Sequence, residues 1–187
     1  MTPKLDMNYI SGDTWIISDT HWGHKNIVKY CSRPMDHNEL MFKRWNETVG
    51  PDDVVLHLGD LMVWYGETDE LQEKISQLNG HKLLIKGNHD KADDKFFYNL
   101  GFSVLPGFKM KFDNRTVGFT HYPASLEGLD TSIHGHIHNN RIKNDTMNIH
   151  HHPRYRNVSV EVIGYRPVRL QSVLDNDYKI WDGVQTS

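Results

Sequence analysis

Lys82-Leu83-Leu84-Ile85-Lys86-Gly87-Asn88-His89-Asp90 is an apolar run that ends in a glycine and three consecutive side chains of ligand type. Residues 82–85 read as a short buried strand. Gly87 lets the backbone turn sharply where the strand stops, and Asn, His and Asp are ligands for a hard-to-borderline metal. Gly-Asn-His-Asp arises by chance at roughly one position in 10^5 to 10^6 on average residue usage. The same arrangement recurs on both sides of it. Trp15-Ile16-Ile17-Ser18 leads into Asp19-Thr20-His21, and residues 53–58 lead into Gly59-Asp60. Downstream, His121 follows a strand over 115–120, and Gly135-His136-Ile137-His138 follows one over 131–134. Ligand clusters repeated at strand ends predict a dinuclear metal site.

Between the strands the period changes. Residues 37–49 carry Leu40, Met41, Trp45 and Val49 near one helical face, and Gly50-Pro51 stops the helix. Thr68 is placed to cap a second helix with a Leu71, Ile75, Leu78 stripe, ended by Asn79-Gly80. Strand, helix, strand, helix, strand implies parallel pairing. Short strands follow over 102–105 and 108–112, the latter turning at Asp113-Asn114 into the 115–120 strand, with one more over 157–162. The expectation is an α/β fold: two mixed β-sheets packed as a sandwich and flanked by helices, one domain over residues 1–187. Asp19, Asp60 and Asn88 would then gather beyond the carboxyl ends of strands. A strand period of two would set the His136 and His138 imidazoles on one side of an extended segment.

With 37% hydrophobic and 24% charged residues the chain reads as a globule, not a disordered tail. A net charge of -3 gives no global basic signature, so nucleic acid is an unsupported partner. Cys31 is the single cysteine, which points to a reducing compartment. Residues 1–15 hold no sustained apolar stretch and no long apolar span follows. No signal peptide and no membrane association are expected, and a cytoplasmic location is. Nothing in the chain speaks to oligomeric state.

In order, the five clusters resemble the motif blocks of the calcineurin-like metallophosphoesterase superfamily over residues 19–138. Ser18-Asp19-Thr20-His21-Trp22-Gly23-His24-Lys25-Asn26-Ile27 is also similar to a small bacterial and phage branch. So is Asn157-Val158-Ser159-Val160-Glu161 with Tyr165-Arg166-Pro167. The resemblance implies that Asp19, His21, Asp60 and His138 hold one divalent transition-metal ion. Asp60, Asn88, His121 and His136 would hold a second, with Asp60 bridging. Manganese is the first expectation, and iron, nickel, cobalt or zinc suit the same ligands. The activity implied is hydrolysis of phosphate esters by in-line attack of a metal-bridging hydroxide. His89 would be the general acid, and Asp90 the carboxylate that orients it. A small phosphorylated substrate of phosphodiester or nucleotide type is favoured over a phosphomonoester. The alternatives are a non-catalytic protein-binding scaffold of the same fold, or a nuclease. Leu61-Met62 lacks the downstream carboxylate and Arg of the protein-phosphatase branch.

Other residues carry competing readings. His24, Lys25 and Asn26 are placed to touch substrate phosphate, or to brace the loop. Arg33 is an anion clamp or part of a turn with Pro34. His57 reads as a hydrogen-bonded core histidine, and His134 as support for the ligand face. His150, His151 and His152 read as an exposed loop. Trp22, Trp64 and Tyr65 are packing residues or base-stacking faces.

Overall fold

Trp15–Ile17 (β1), Val54–His57 (β2) and His81–Ile85 (β3) pair in parallel, β1 with β2 and β2 with β3. They are largely buried on both faces, which is why they read as continuous apolar runs without alternation. The computed structural model describes residues 7–63, 68–139, 149 and 152–179. Phe102–Leu105 (β4) extends this sheet in parallel beside β3. A second sheet is built from Phe108–Phe112 (β5), Arg115–Phe119 (β6), Thr131–His134 (β7) and Tyr155–Asn157 (β8), in that spatial order. β5 and β6 form the expected hairpin, with Asp113 left-handed at φ 51°, while β6, β7 and β8 run parallel. Val168–Arg169 (β9) closes the first sheet antiparallel to β1.

Ile16, Leu56 and Leu84 of the first sheet share one hydrophobic core with Val117, Phe119 and Ile133 of the second. The longer helices follow the apolar stripes. His37–Thr48 buries His37, Met41 and Trp45, while Leu40 is only half-buried. Asp69–Ser76 is capped as expected, the Thr68 hydroxyl accepting from the Leu71 N–H at 3.1 Å. That helix stops before Asn79-Gly80, yet Leu78 stays buried and completes the stripe. Ile27–Cys31, Asp94–Asn99 and Leu170–Leu174 are short helices whose one or two turns give too little periodicity to read. No helix among the described residues is long and apolar enough to cross a membrane.

The strand expected over 157–162 is corrected. Ser159 makes only a single parallel bridge, to Ser18, and the chain then turns. The Ser18 N–H donates to Val158 O at 3.0 Å and the Val160 N–H to Ser18 O at 3.1 Å. Val162 N–H then closes back on Ser159 O at 2.9 Å. This stitch joins the two sheets where β1 ends, and the turn carries Glu161 inward.

Candidate metal centre

Five strands deliver the sequence-predicted ligands to one place, all from their carboxyl ends: Asp19 after β1, Asp60 after β2, Asn88 after β3, His121 after β6, and His136 and His138 after β7. Asp19, His21 and His138 form one group whose ligand atoms lie within 4.8 Å of one another, and Asp60, His121 and His136 form a second. Asp60, a member of the second group, also reaches His21 of the first. Its Oδ2 lies 3.5 Å from His21 Nε2 and 3.4 Å from His121 Nε2. Asn88 joins the second group, its Oδ1 3.0 Å from His121 Nε2.

The local backbone is strained where these side chains leave it. Asp19, His21, Asp60, His136 and His138 all have positive φ, between 49° and 69°. Each such residue costs of order 1–3 kcal/mol and persists only where its surroundings hold it. The glycines are part of that hold. A Cβ on Gly87 would lie 2.2 Å from Asp60 Oδ1, and one on Gly135 2.1 Å from Asp19 Oδ2. The positive φ values also correct the expected extended segment at 135–138. His136 and His138 sit in a turn, and their imidazoles go to different groups. His138 Nε2 faces Asp19 Oδ1 at 3.6 Å, and His136 Nδ1 faces His121 Nε2 at 3.3 Å.

The donor set fits divalent cations. Both ring nitrogens of His21 are buried without a hydrogen-bond partner among the described residues. A buried polar atom left in this way is costly, and a cation beside Asp60 would satisfy Nε2, the nitrogen that faces it. His121 Nδ1 spends its hydrogen on Leu58 O at 2.9 Å, so Nε2 presents a lone pair to an Asp60 oxygen, an Asn88 oxygen and a His136 nitrogen. Acceptors converging on one point need a positive charge between them. Burial opposes charge on His121, but its hydrogen bond to Asp60 and the Asp19 and Asp60 charges outweigh that and raise its pKa. Burial likewise works against the Asp60 carboxylate, and His121 and His21 more than offset it, holding Asp60 below the usual carboxylate range. Burial dominates at Asp19 and pushes it up.

His89 sits beside the first group without belonging to it. Its ring meets His21 edge-on at 5.1 Å, and its backbone N–H donates to Asp60 Oδ1 at 2.8 Å. Asp90 does not orient it. The Asp90 carboxylate accepts the backbone N–H groups of Asp60, Leu61, Met62 and Gly87 instead, at 2.8 to 3.4 Å. A carboxylate buried just behind the loop is satisfied by the clustered amides around it, and the half-buried His89 imidazole is not among its partners. Asp90→Ala is therefore expected to lower the unfolding free energy by about 3 kcal/mol or more, since each buried N–H left unmet costs about 1–3 kcal/mol. Denaturant unfolding of the metal-free protein checks this. Unchanged stability with a reduced turnover would restore the orienting role.

Arg33 is no substrate clamp either. Its side chain is 0% exposed and pairs with Glu161 at 2.6 Å. His24 is buried against His21 with ring centroids 5.5 Å apart, and burial lowers its pKa. Lys25 and Asn26 lie exposed at the start of the Ile27–Cys31 helix. His57 is the core histidine expected. Its Nδ1 accepts from the Gly59 N–H at 3.1 Å, so Nε2–H donates to Thr20 Oγ1 at 3.0 Å, and Thr20 donates on to Leu61 O. Burial pulls His57 down to about 3. His134 is buried behind the ligand turn, its Nδ1 2.9 Å from Gly135 O. Trp22 is 1% exposed, so it packs and offers no stacking face. Trp64, Tyr65, His150 and His151 lie outside the described residues, and His152 packs against Tyr155 with ring centroids 5.8 Å apart.

Two supporting residues were not singled out as site residues from sequence. Ser159 Oγ donates to Asp19 Oδ2 at 3.0 Å, and Glu161 Oε1 accepts from His138 Nδ1 at 2.9 Å. Their signal was polar residues alternating with Val158 and Val160, in a segment whose valines are fully buried.

A family model described as calcineurin-like phosphoesterase matches residues 13–183. An uncharacterized protein of Methanocaldococcus jannaschii is 36% identical over 170 residues, 86% of this chain and 88% of its own length. The gene 66 protein of Mycobacterium phage L5 is 39% identical over 83 residues, 42% of this chain and 40% of its own. The crystal structure of a protein of unknown function from Aquifex aeolicus superposes with a TM-score of 0.70 at 24% identity, covering 87% of this chain and 98% of that one, which shows the same fold.

Proposed function

This chain belongs to the calcineurin-like phosphoesterase family, and we propose that within it the protein is a two-metal enzyme hydrolysing small phosphodiesters, nucleotide-type esters among them. The observation that carries the reading is the single Asp60 oxygen standing 3.5 Å from His21 and 3.4 Å from His121, within reach of one histidine of each ligand group. Two divalent ions held there, manganese the first candidate, would make water nucleophilic near neutral pH and neutralise charge on the phosphoryl oxygens. The protein's own part is to hold the pieces. Asp19, His21, Asp60 and His138 would bind one ion, and Asp60, Asn88, His121 and His136 the other. His89 donates its proton to the departing ester oxygen. Its backbone bond to Asp60 Oδ1 fixes that acid relative to the shared carboxylate.

Diester preference is supported by what flanks the groups. Tyr122, 52% exposed, lies tilted against His136 with ring centroids 4.2 Å apart, and Tyr30, 64% exposed, stands edge-on to His24 at 6.1 Å. Exposed rings on two sides suit a phosphorus that carries an organic group on each side. Assays of the Mn²⁺-loaded protein with bis(p-nitrophenyl) phosphate and p-nitrophenyl phosphate test this. Faster turnover of the diester is expected, and turnover of the monoester alone would overturn the preference.

Metal uptake should depend on pH with a definite sign. Burial disfavours charge on His138, but hydrogen bonds to Cys31 and Glu161 and the Glu161 and Asp19 charges win, pushing it up to about 11. Below that value the protonated form prevails, and a cation must displace the proton. His21, pulled down to about 2 mainly by burial, is already neutral and adds no slope. Affinity of the first group should therefore fall by about tenfold per unit between pH 8 and pH 6. Calorimetric Mn²⁺ titrations at three pH values read this directly, and a flat profile would contradict it.

A further inference from the structure

The first ligand group hangs on one buried cation. Arg33 donates through Nη2 to Asp19 O at 2.6 Å and through Nη1 to Thr20 O at 2.7 Å. These carbonyls belong to the strained turn that presents Asp19 and His21. The same guanidinium donates through Nε to Glu161 Oε1 at 2.7 Å, and Nη2 lies 2.6 Å from that oxygen. Glu161 Oε1 in turn accepts from His138 Nδ1 at 2.9 Å. Arg33 and Glu161 are 0% and 2% exposed at the side chain and lie 128 residues apart in sequence.

The consequences for His138 follow from its two nitrogens. With Nδ1–H committed to Glu161, the tautomer is fixed and Nε2 is turned to Asp19. A carboxylate behind a ligating imidazole orients the ring and raises its basicity. A lone buried carboxylate would be prohibitively desolvated, so Glu161 needs a partner. Arg33 supplies it with fork geometry that a lysine lacks, reaching the Asp19-Thr20 carbonyls with its remaining N–H groups. The second group has no counterpart of this kind among the described residues: His121 leans on a neutral carbonyl, Leu58 O.

We propose that the Arg33–Glu161 pair is the positioning element of the first metal site, holding Asp19, His21 and His138 in ligating geometry while leaving the second site alone. The proposal rests on the two-metal reading above. It assigns to Arg33 and Glu161 a role in metal affinity, distinct from a role in folding.

The test is Mn²⁺ titration calorimetry of metal-depleted wild type, Glu161→Gln, and the double variant Arg33→Met/Glu161→Gln, with thermal unfolding of each metal-free protein. The glutamine keeps the shape and an acceptor oxygen but removes the charge. One of the two binding steps should weaken by about 10- to 100-fold in Glu161→Gln, with the other within about twofold of wild type. The double variant removes both buried charges together, so its Tm should recover towards wild type while the weakened step stays weak. A purely structural ion pair would instead recover both together, and that result overturns the proposal. So do two affinities within about twofold of wild type in Glu161→Gln, or two steps that weaken in parallel. Wild type that binds fewer than two ions overturns the two-metal reading itself, an outcome visible before any variant is compared.

Discussion

Replacing Asp60 with alanine is expected to lower kcat/KM by about a thousandfold or more and to leave the protein unable to hold two ions at once. The size follows from what its one oxygen does. Asp60 Oδ2 faces His21 Nε2 and His121 Nε2 at 3.5 and 3.4 Å, so on the two-metal reading its loss would take a ligand from both ions together. Stabilisation by a pair of metal ions amounts to several kcal/mol, and each 1.4 kcal/mol is tenfold in rate. The loss also frees the His89 N–H from Asp60 Oδ1, so on the proposed reading the acid would be displaced along with the metals. Asp60→Asn makes the milder comparison, because it keeps the shape and removes only the charge. Two ions bound to Asp60→Ala, with kcat/KM within about tenfold of wild type, would show that the shared oxygen is not a bridge.

His89→Ala should behave differently. Turnover of an alkyl diester is expected to fall by roughly 10²- to 10³-fold with metal stoichiometry unchanged, since a general acid contributes in that range and His89 lies outside both ligand groups. The loss should shrink to about tenfold or less for a p-nitrophenolate leaving group, which departs without needing a proton. Equal losses for the two leaving groups would make His89 a binding residue and remove it from the proton transfer. Loss of metal from His89→Ala would place it among the ligands instead.

These two residues were legible in the sequence because a strand end is a one-dimensional signal. An apolar run followed by a turn residue and a polar ligand fixes where a side chain emerges: Gly59-Asp60 after β2 and Gly87-Asn88 after β3 give that signal with a glycine, and Ser18-Asp19 after β1 gives it without one. His121 has no such local spacing, and its place after β6 together with the family resemblance identifies it. What stayed hidden is of two kinds. The backbone at His136 and His138 is left-handed, and no feature of Gly-His-Ile-His distinguishes that turn from an extended run. The second kind is pairing across the chain. Arg33 reads as a clamp or a turn because its partner lies 128 residues away, and Asp90 reads as the partner of His89 because sequence shows neighbours first. A buried acid serves the unmet amides around it, and those come from the Asp60 loop, 30 residues upstream. The short β9 and the two-turn helices escaped because their sequences are too brief to show a period.

The most direct test of the whole account is a Mn²⁺ titration of metal-depleted protein, followed in parallel by calorimetry and by hydrolysis of bis(p-nitrophenyl) phosphate. The account predicts two bound ions per chain, with diesterase activity that rises only as the second step fills. Activity that saturates with a single ion, or two ions bound without hydrolysis of any phosphate ester, would contradict it.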